Sequence, residues 1–128
     1  MQLSEKDKIN VTFLVNGEEV NLPCLVLINQ GSLKNGLMNV RQIKRNVGLF
    51  FVMEKSDLHK FHMLKTFIPL DCLFISQDGI VTEIFHGKPH DKEPFGGNIP
   101  SKYVIETLDG FVERNQIRKG IRIKISKI

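Results

Sequence analysis

Apolar and polar residues alternate along much of this chain, and a period of two residues predicts β-strands. The clearest alternation covers residues 9–15, where each odd position is apolar. The Asn16-Gly17 dipeptide that follows is typical of tight β-hairpins. We predict eight strands in all, over residues 9–15, 20–28, 48–53, 60–64, 70–76, 80–85, 103–107 and 121–125.

The most apolar run, residues 61–75, also contains charged groups. Its second half, residues 70–75, has the length and hydrophobicity of a strand buried on both faces, and Asp71 lies near the start of that strand. A carboxylate in such a place has to be paired or hydrogen-bonded, or else take up a proton. Pro69 cannot donate a hydrogen bond to a neighbouring strand. We therefore predict a bend there, which brings Lys65 close to Asp71.

Polar segments between the strands predict turns and loops. Residues 29–36 break the apolar pattern, and Ser32 is suited to cap a short helical turn there. Asp109 is suited to cap a second short helix that ends near Asn115. The segment 86–100 is rich in glycine and proline and predicts a long loop, a feature often tied to function or mobility.

These elements predict a single all-β domain. The chain has 128 residues, enough for a core without disulfides or metals, and contains no alanine, the best helix former. We treat residues 1–8 as a flexible lead-in and expect one domain over residues 9–128. The expected fold is a small antiparallel β-sandwich, jelly-roll-like, with one or two short helical turns.

Charge and cysteine content narrow the class of protein. The formal net charge of +4 permits an acidic partner without requiring one. Cys24 and Cys72 lie in apolar runs without CxxC spacing, which favours two buried, reduced thiols over a disulfide or a nucleophile. We expect no secretory signal in the polar N-terminal residues, and no apolar run reaches the ~20 residues of a membrane helix. We expect a cytoplasmic location, or a virion if this is a phage structural protein.

One group of residues carries side chains that bind metals elsewhere. His86, His90 and Asp91 are of ligand type, but the spacing of the two histidines requires a helix. Gly87 and Pro89 oppose a helix there. We therefore expect no metal site, and we expect no cofactor because the chain lacks phosphate-loop and dinucleotide-binding motifs.

Carboxylates and cations suggest two further kinds of chemistry. Two facing carboxylates could act as acid and base on a glycoside, although the sequence does not show which two would face each other. The carboxylates nearest apolar runs are Asp71, Glu83, Glu106 and Glu113. Beyond the last of these, the chain carries six cations and no acid: Arg114, Arg118, Lys119, Arg122, Lys124 and Lys127. Stacking aromatics and a groove-entering helix are missing from that segment, so we expect no specific nucleic-acid binding.

Five motifs, in order and at fitting spacing, resemble the bacterial and phage family catalogued as domain of unknown function 192. The motifs are Gly36-Leu37-Met38, Gly48-Leu49-Phe50-Phe51-Val52, Phe61-His62-Met63, Ile68-Pro69-Leu70-Asp71 and Tyr103-Val104-Ile105-Glu106. The resemblance covers about residues 9–125 and implies a small all-β, jelly-roll-like sandwich, with no established activity, cofactor or catalytic residues. This chain departs from the pattern at His62, where tryptophan is common, and at Leu64 and Lys65, where lysine and asparagine often stand.

The leading functional hypothesis is a non-catalytic binding domain for a small polar or sugar-like ligand, or for a protein partner, without membrane association. An enzyme that hydrolyses glycosides through Asp71 and Glu106 is the first alternative. A structural or accessory protein, acting through subunit contacts, is the second alternative. The candidate ligand-binding residues are His62, Lys65, Asp71, Tyr103, Glu106 and Arg114.

Overall fold

The computed structural model describes residues 2–28, 36–38 and 40–128. These residues form nine strands and one short helix. In chain order the elements are β1 (Lys8–Val15), β2 (Glu18–Leu27), β3 (Gly48–Asp57), β4 (Lys60–Phe61), β5 (Leu70–Ile75), β6 (Val81–Gly87), β7 (Phe95–Gly96), β8 (Ser101–Leu108), α1 (Phe111–Arg114) and β9 (Ile123–Lys127). The helical turn predicted at Ser32 lies outside the described residues.

Seven strands form one mixed sheet in the order β6-β5-β8-β3-β2-β1-β9, and β4 pairs with β7 in a second, two-stranded sheet. The expectation of a purely antiparallel sheet was wrong at one place, because β2 and β3 run parallel, with Cys24 opposite Gly48. A parallel pair needs a long crossover connection, which residues 28–47 provide between these two strands. The all-β class is confirmed, whereas the sandwich and jelly-roll assignment stays a prediction.

The two ends of the large sheet approach each other without closing it into a barrel. Ile80 forms an isolated bridge with Arg122, and the Gly120 N–H donates to the carbonyl of Val81 at 2.7 Å. Because the sheet curves in this way, its inner face encloses the largest apolar cluster. That cluster includes Phe13, Phe50, Leu73, Ile105 and Phe111.

The outer face of the same sheet carries a second apolar cluster, which includes Phe51, Cys72, Phe74 and Val104. The two-stranded sheet contributes Phe61 and Phe95 to this cluster. The rings of both residues meet Phe74 edge-on, with ring centroids 5.7 Å and 6.3 Å apart. Edge-to-face packing of this kind is favourable for aromatic rings, so β4 and β7 are held against the sheet mainly by aromatic contacts.

Each predicted strand has a counterpart, but two details of the prediction were wrong. The strand expected at 60–64 ends at Phe61, because a turn follows in which the Thr66 N–H donates to the carbonyl of Met63. Asp109 does not cap the helix, since Gly110 occupies the N-cap position with no side-chain hydrogen bond. Residues 4–7, treated as part of the lead-in, bond to β2 through Lys6 and Asp7. Within the described residues, no helix is long and apolar enough to cross a membrane.

Gly96 lies directly against the ring of Phe74, and we expect alanine there to be costly. A Cβ at Gly96 would lie 2.4 Å from that ring, and the φ of +85° adds backbone strain. Gly17 is a matched control, because its φ is +81° but nothing lies within 4 Å of a Cβ. Urea unfolding should show Gly96→Ala to be about 1–3 kcal/mol less stable than Gly17→Ala, the usual cost of overpacking. Equal stability of the two variants would show that β7 does not pack on Phe74 as described.

Candidate functional site

Asp71 lies on the inner face, completely buried, and its carboxylate joins two other elements. One oxygen, Oδ1, lies 2.7 Å from Nδ1 of His86, the residue opposite it on β6. The other, Oδ2, accepts the backbone N–H of Val112 at 2.9 Å. Asp71 thus caps the short helix α1 from a neighbouring strand. The prediction of a buried, hydrogen-bonded carboxylate is confirmed, but Lys65, which was predicted to lie close to it, is not one of its partners.

Asp109 lies near the same nitrogen of this histidine, with its Oδ1 3.9 Å from His86 Nδ1. Ligand-type atoms of Asp71, His86 and Asp109 all lie within 4.8 Å of one another, so these three side chains are the described residues best placed to hold a cation. The sequence analysis grouped His86 with His90 and Asp91 instead. The pairing of β5 with β6, which places Asp71 opposite His86, cannot be read from the local sequence. The contacts to His86 and Val112 already satisfy Asp71, which gives the cluster a structural role.

Glu106 lies on the outer face of the sheet and has a different environment. Its neighbours on the adjacent strands are Leu49 of β3 and Cys72 of β5, and its side chain is 5% exposed. A Cβ on Gly36 would lie 3.4 Å from Oε1 of Glu106, which places the segment 36–38 beside the carboxyl. No described residue donates a hydrogen bond to this carboxyl or forms an ion pair with it. Burial raises the pKa of Glu106 from 4.5 to about 7.

The two carboxyls that the glycosidase hypothesis combines lie on opposite faces of the sheet. Thr107 pairs with Asp71 and Cys72 pairs with Glu106, and successive residues of a strand point to opposite faces. The backbones of β5 and β8 therefore separate the two carboxyls, so they cannot flank one glycosidic bond as that mechanism requires. The proposed catalytic pair of Asp71 and Glu106 was wrong for this reason.

The other four predicted site residues lie at separate places. His62 is exposed after β4 and accepts the Leu64 N–H at Nδ1, and Lys65 is exposed nearby. Tyr103 is half-buried on the inner face and stacks on Phe50, with ring centroids 5.1 Å apart. Arg114 is exposed at the end of α1 and lies 3.5 Å from Asn46 Oδ1. The six predicted residues therefore do not converge on a single site.

Glu83, another buried residue on the outer face, has hydrogen-bond donors to both oxygens of its carboxyl. It accepts hydrogen bonds from the side-chain amide of Asn98 at 3.0 Å and from the backbone N–H of Ile99 at 3.1 Å. Its environment contrasts with that of Glu106, which has the same burial without such donors. The sequence could not separate these two residues, because both stand in strand runs among apolar neighbours.

Both cysteines are buried and reduced, and we expect them to be unreactive in the native protein. Burial raises the pKa of Cys24 to about 12 and that of Cys72 well above its usual value, so the reactive thiolate is scarce at pH 8. Labelling with a thiol reagent should be slow for the folded protein and fast for both residues in urea. Rapid labelling of either cysteine under native conditions would contradict the packing described.

Comparison with known proteins shows that the chain belongs to the DUF192 family, described as "Uncharacterized ACR", whose sequence model matches residues 14–125. A "putative transcription regulator" from Sinorhizobium meliloti 1021 has a similar crystal structure, with a TM-score of 0.89 and 26% sequence identity over 96% of this chain and 97% of that one. A protein of unknown function from Novosphingobium aromaticivorans DSM 12444 has a TM-score of 0.86 at 24% identity, over 91% of this chain and 84% of that one. No curated protein is detectably similar to this chain.

Proposed function

We propose that this protein is a non-catalytic binding domain that holds a small polar ligand at the carboxyl of Glu106. The observation that carries the proposal is that Glu106, a residue only 5% exposed, has no hydrogen-bond donor to its carboxyl among the described residues. Ionising a carboxyl in such surroundings is costly, which is why burial raises its pKa. A ligand that donates hydrogen bonds to Glu106 offsets this cost, so the fold gains stability when the ligand binds.

The surroundings of Glu106 favour binding over catalysis. Acid–base work on a glycoside needs two carboxyls that flank the bond to be broken, and Asp71 lies on the other face of the sheet. The thiol of Cys72, opposite Glu106 on β5, is a possible nucleophile, but burial keeps it protonated. The neighbours of Glu106 on the adjacent strands are Leu49 and Cys72. Small-molecule sites likewise combine apolar surroundings with a few polar groups that fix the ligand's orientation.

The description of the Sinorhizobium protein raises nucleic acid as another ligand. The helix described here has only four residues, too short to read a groove as a recognition helix does. Glu106 would also repel a phosphate backbone, whereas nucleic-acid sites gather cations. We therefore favour a small molecule over nucleic acid as the ligand.

The test is a thermal-shift screen of the full chain with monosaccharides, amino acids, nucleosides and simple amines. At least one compound class should raise the melting temperature of the wild type and not that of Glu106→Gln, which keeps the shape of the side chain but removes its charge. Glu113→Gln is the matched control, because Glu113 is exposed on α1 and should respond like the wild type. Equal stabilisation of wild type and Glu106→Gln, or no stabilisation by any class, would contradict the proposal.

A further inference from the structure

We infer that the ligand held at Glu106 is a protonated amine attached to a small apolar body. This inference rests on the proposed function and names the chemical class of the ligand. Two features of the outer face carry it: a buried carboxyl without a cation, and apolar and aromatic neighbours.

The first feature is the missing countercharge. Among the described residues, the ion pairs join Lys55 to Asp57, His86 to Asp71 and Asp109, and Lys127 to Asp7, and none reaches Glu106. A buried charge is retained in proteins when a partner charge and hydrogen bonds compensate for its desolvation. An ammonium group supplies both at once, with three N–H donors and a positive charge.

The second feature is the apolar character of the neighbours. Leu49 and Cys72 flank Glu106 on the two adjacent strands, and burial keeps the thiol neutral. The ring of Phe51 lies on the same face of the sheet, near the point where Gly36 approaches Glu106. An aromatic face attracts a cation in addition to providing apolar contact. A ligand with an ammonium head and an apolar body matches both kinds of surface.

Binding of an amine should depend on the ionisation of Glu106. The titratable group that faces Glu106 from β5 is Cys72. Among the described residues, β3 places Leu49 opposite Glu106, and the segment 36–38, Gly36-Leu37-Met38, contains no titratable group. With a pKa of about 7, Glu106 is mostly neutral at pH 6 and mostly ionised at pH 8. The affinity for an amine that is protonated at both pH values should rise roughly tenfold across this interval.

The experiment is calorimetric titration of the full chain with benzylamine and phenethylamine, each compared with the neutral alcohol of the same shape. Both amines should bind the wild type and Glu113→Gln, roughly tenfold more tightly at pH 8 than at pH 6, and at least tenfold more tightly than the alcohols. Glu106→Gln, whose fold is checked by circular dichroism, should lose the preference for amines and the pH dependence.

The outcomes separate this inference from the proposed function. Alcohols that bind as tightly as amines in a Glu106-dependent way would overturn the amine inference and leave the binding site at Glu106 standing. Amine binding that is unchanged in Glu106→Gln would overturn both. If neither amine binds the wild type at either pH, the amine inference fails, and the broader compound screen decides the proposed function independently.

Discussion

Replacing Asp71 with alanine is expected to lower the free energy of unfolding by about 2–4 kcal/mol, the range for removing one partner from a buried, charged hydrogen-bond group. The carboxylate is completely buried and binds two donors on different elements, His86 of β6 and the backbone N–H of Val112 in α1. Without it, the N–H of Val112 remains buried without an acceptor. The start of α1 and the β5–β6 edge also lose the group that joins them.

Urea unfolding of matched variants measures this effect. Asp71→Asn should lose less stability than Asp71→Ala, because the amide oxygen can still accept the Val112 N–H. Asp109→Ala is the control, since Asp109 is half exposed and lies 3.9 Å from the same histidine. It should change stability by less than about 0.5 kcal/mol, as surface substitutions usually do. A loss below that value for both Asp71 variants would refute the structural role of Asp71.

Glu106 should make the stability of the protein fall as the pH rises. Its pKa is about 7 in the folded protein, against an ordinary value of 4.5 that applies when the chain is unfolded. Between these values the folded state holds a proton that the unfolded state has released, so unfolding becomes easier as pH increases. The full contribution is present below pH 4.5 and is lost as the pH rises through 7. Its size is about 3 kcal/mol at 1.36 kcal/mol per pKa unit.

The measurement compares wild type with Glu106→Gln, which does not titrate, by urea unfolding at several pH values between 4 and 8. The wild type minus variant difference in unfolding free energy should fall by about 3 kcal/mol over this interval. Other titrating groups are common to both proteins and cancel in the difference. Glu113→Gln, at an exposed site, should show no comparable trend. A difference that stays constant with pH would mean that Glu106 is solvated or paired.

Most strands could be predicted from the sequence because their signals are local. Alternation and the Asn16-Gly17 turn place β1 and β2 without any knowledge of distant residues. The parallel pairing of Cys24 with Gly48 joins two strands that are separated in the chain by residues 28–47, and no local pattern encodes that pairing. Strand β7 has two residues, Phe95–Gly96, and exists because it pairs with β4, so it carries no periodic signal of its own.

The candidate site shows the same division between local and distant information. The burial of Asp71 could be predicted from its apolar neighbours in the chain. Its partners could not, because His86 is 15 residues away and Val112 is 41 residues away. Glu106 could be predicted as a candidate site residue from its position in an apolar strand. That it lies on the opposite face of the sheet from Asp71 depends on the register of β5 against β8. A shift of one residue in a register exchanges the two faces of a sheet, so this relation is fixed only by the fold.

The most direct test of the central claim is a titration of the Glu106 carboxyl itself, followed by the carbon-13 NMR signal of its side chain and assigned by its absence in Glu106→Gln. A buried carboxyl without partners should titrate with a pKa of about 7, far from the ordinary 4.5. Saturation with benzylamine should then lower that pKa, because an ammonium group favours the ionised form. A pKa near 4.5 in the free protein would contradict the proposed binding role of Glu106, since it would mean that the carboxyl is already solvated or paired without a ligand.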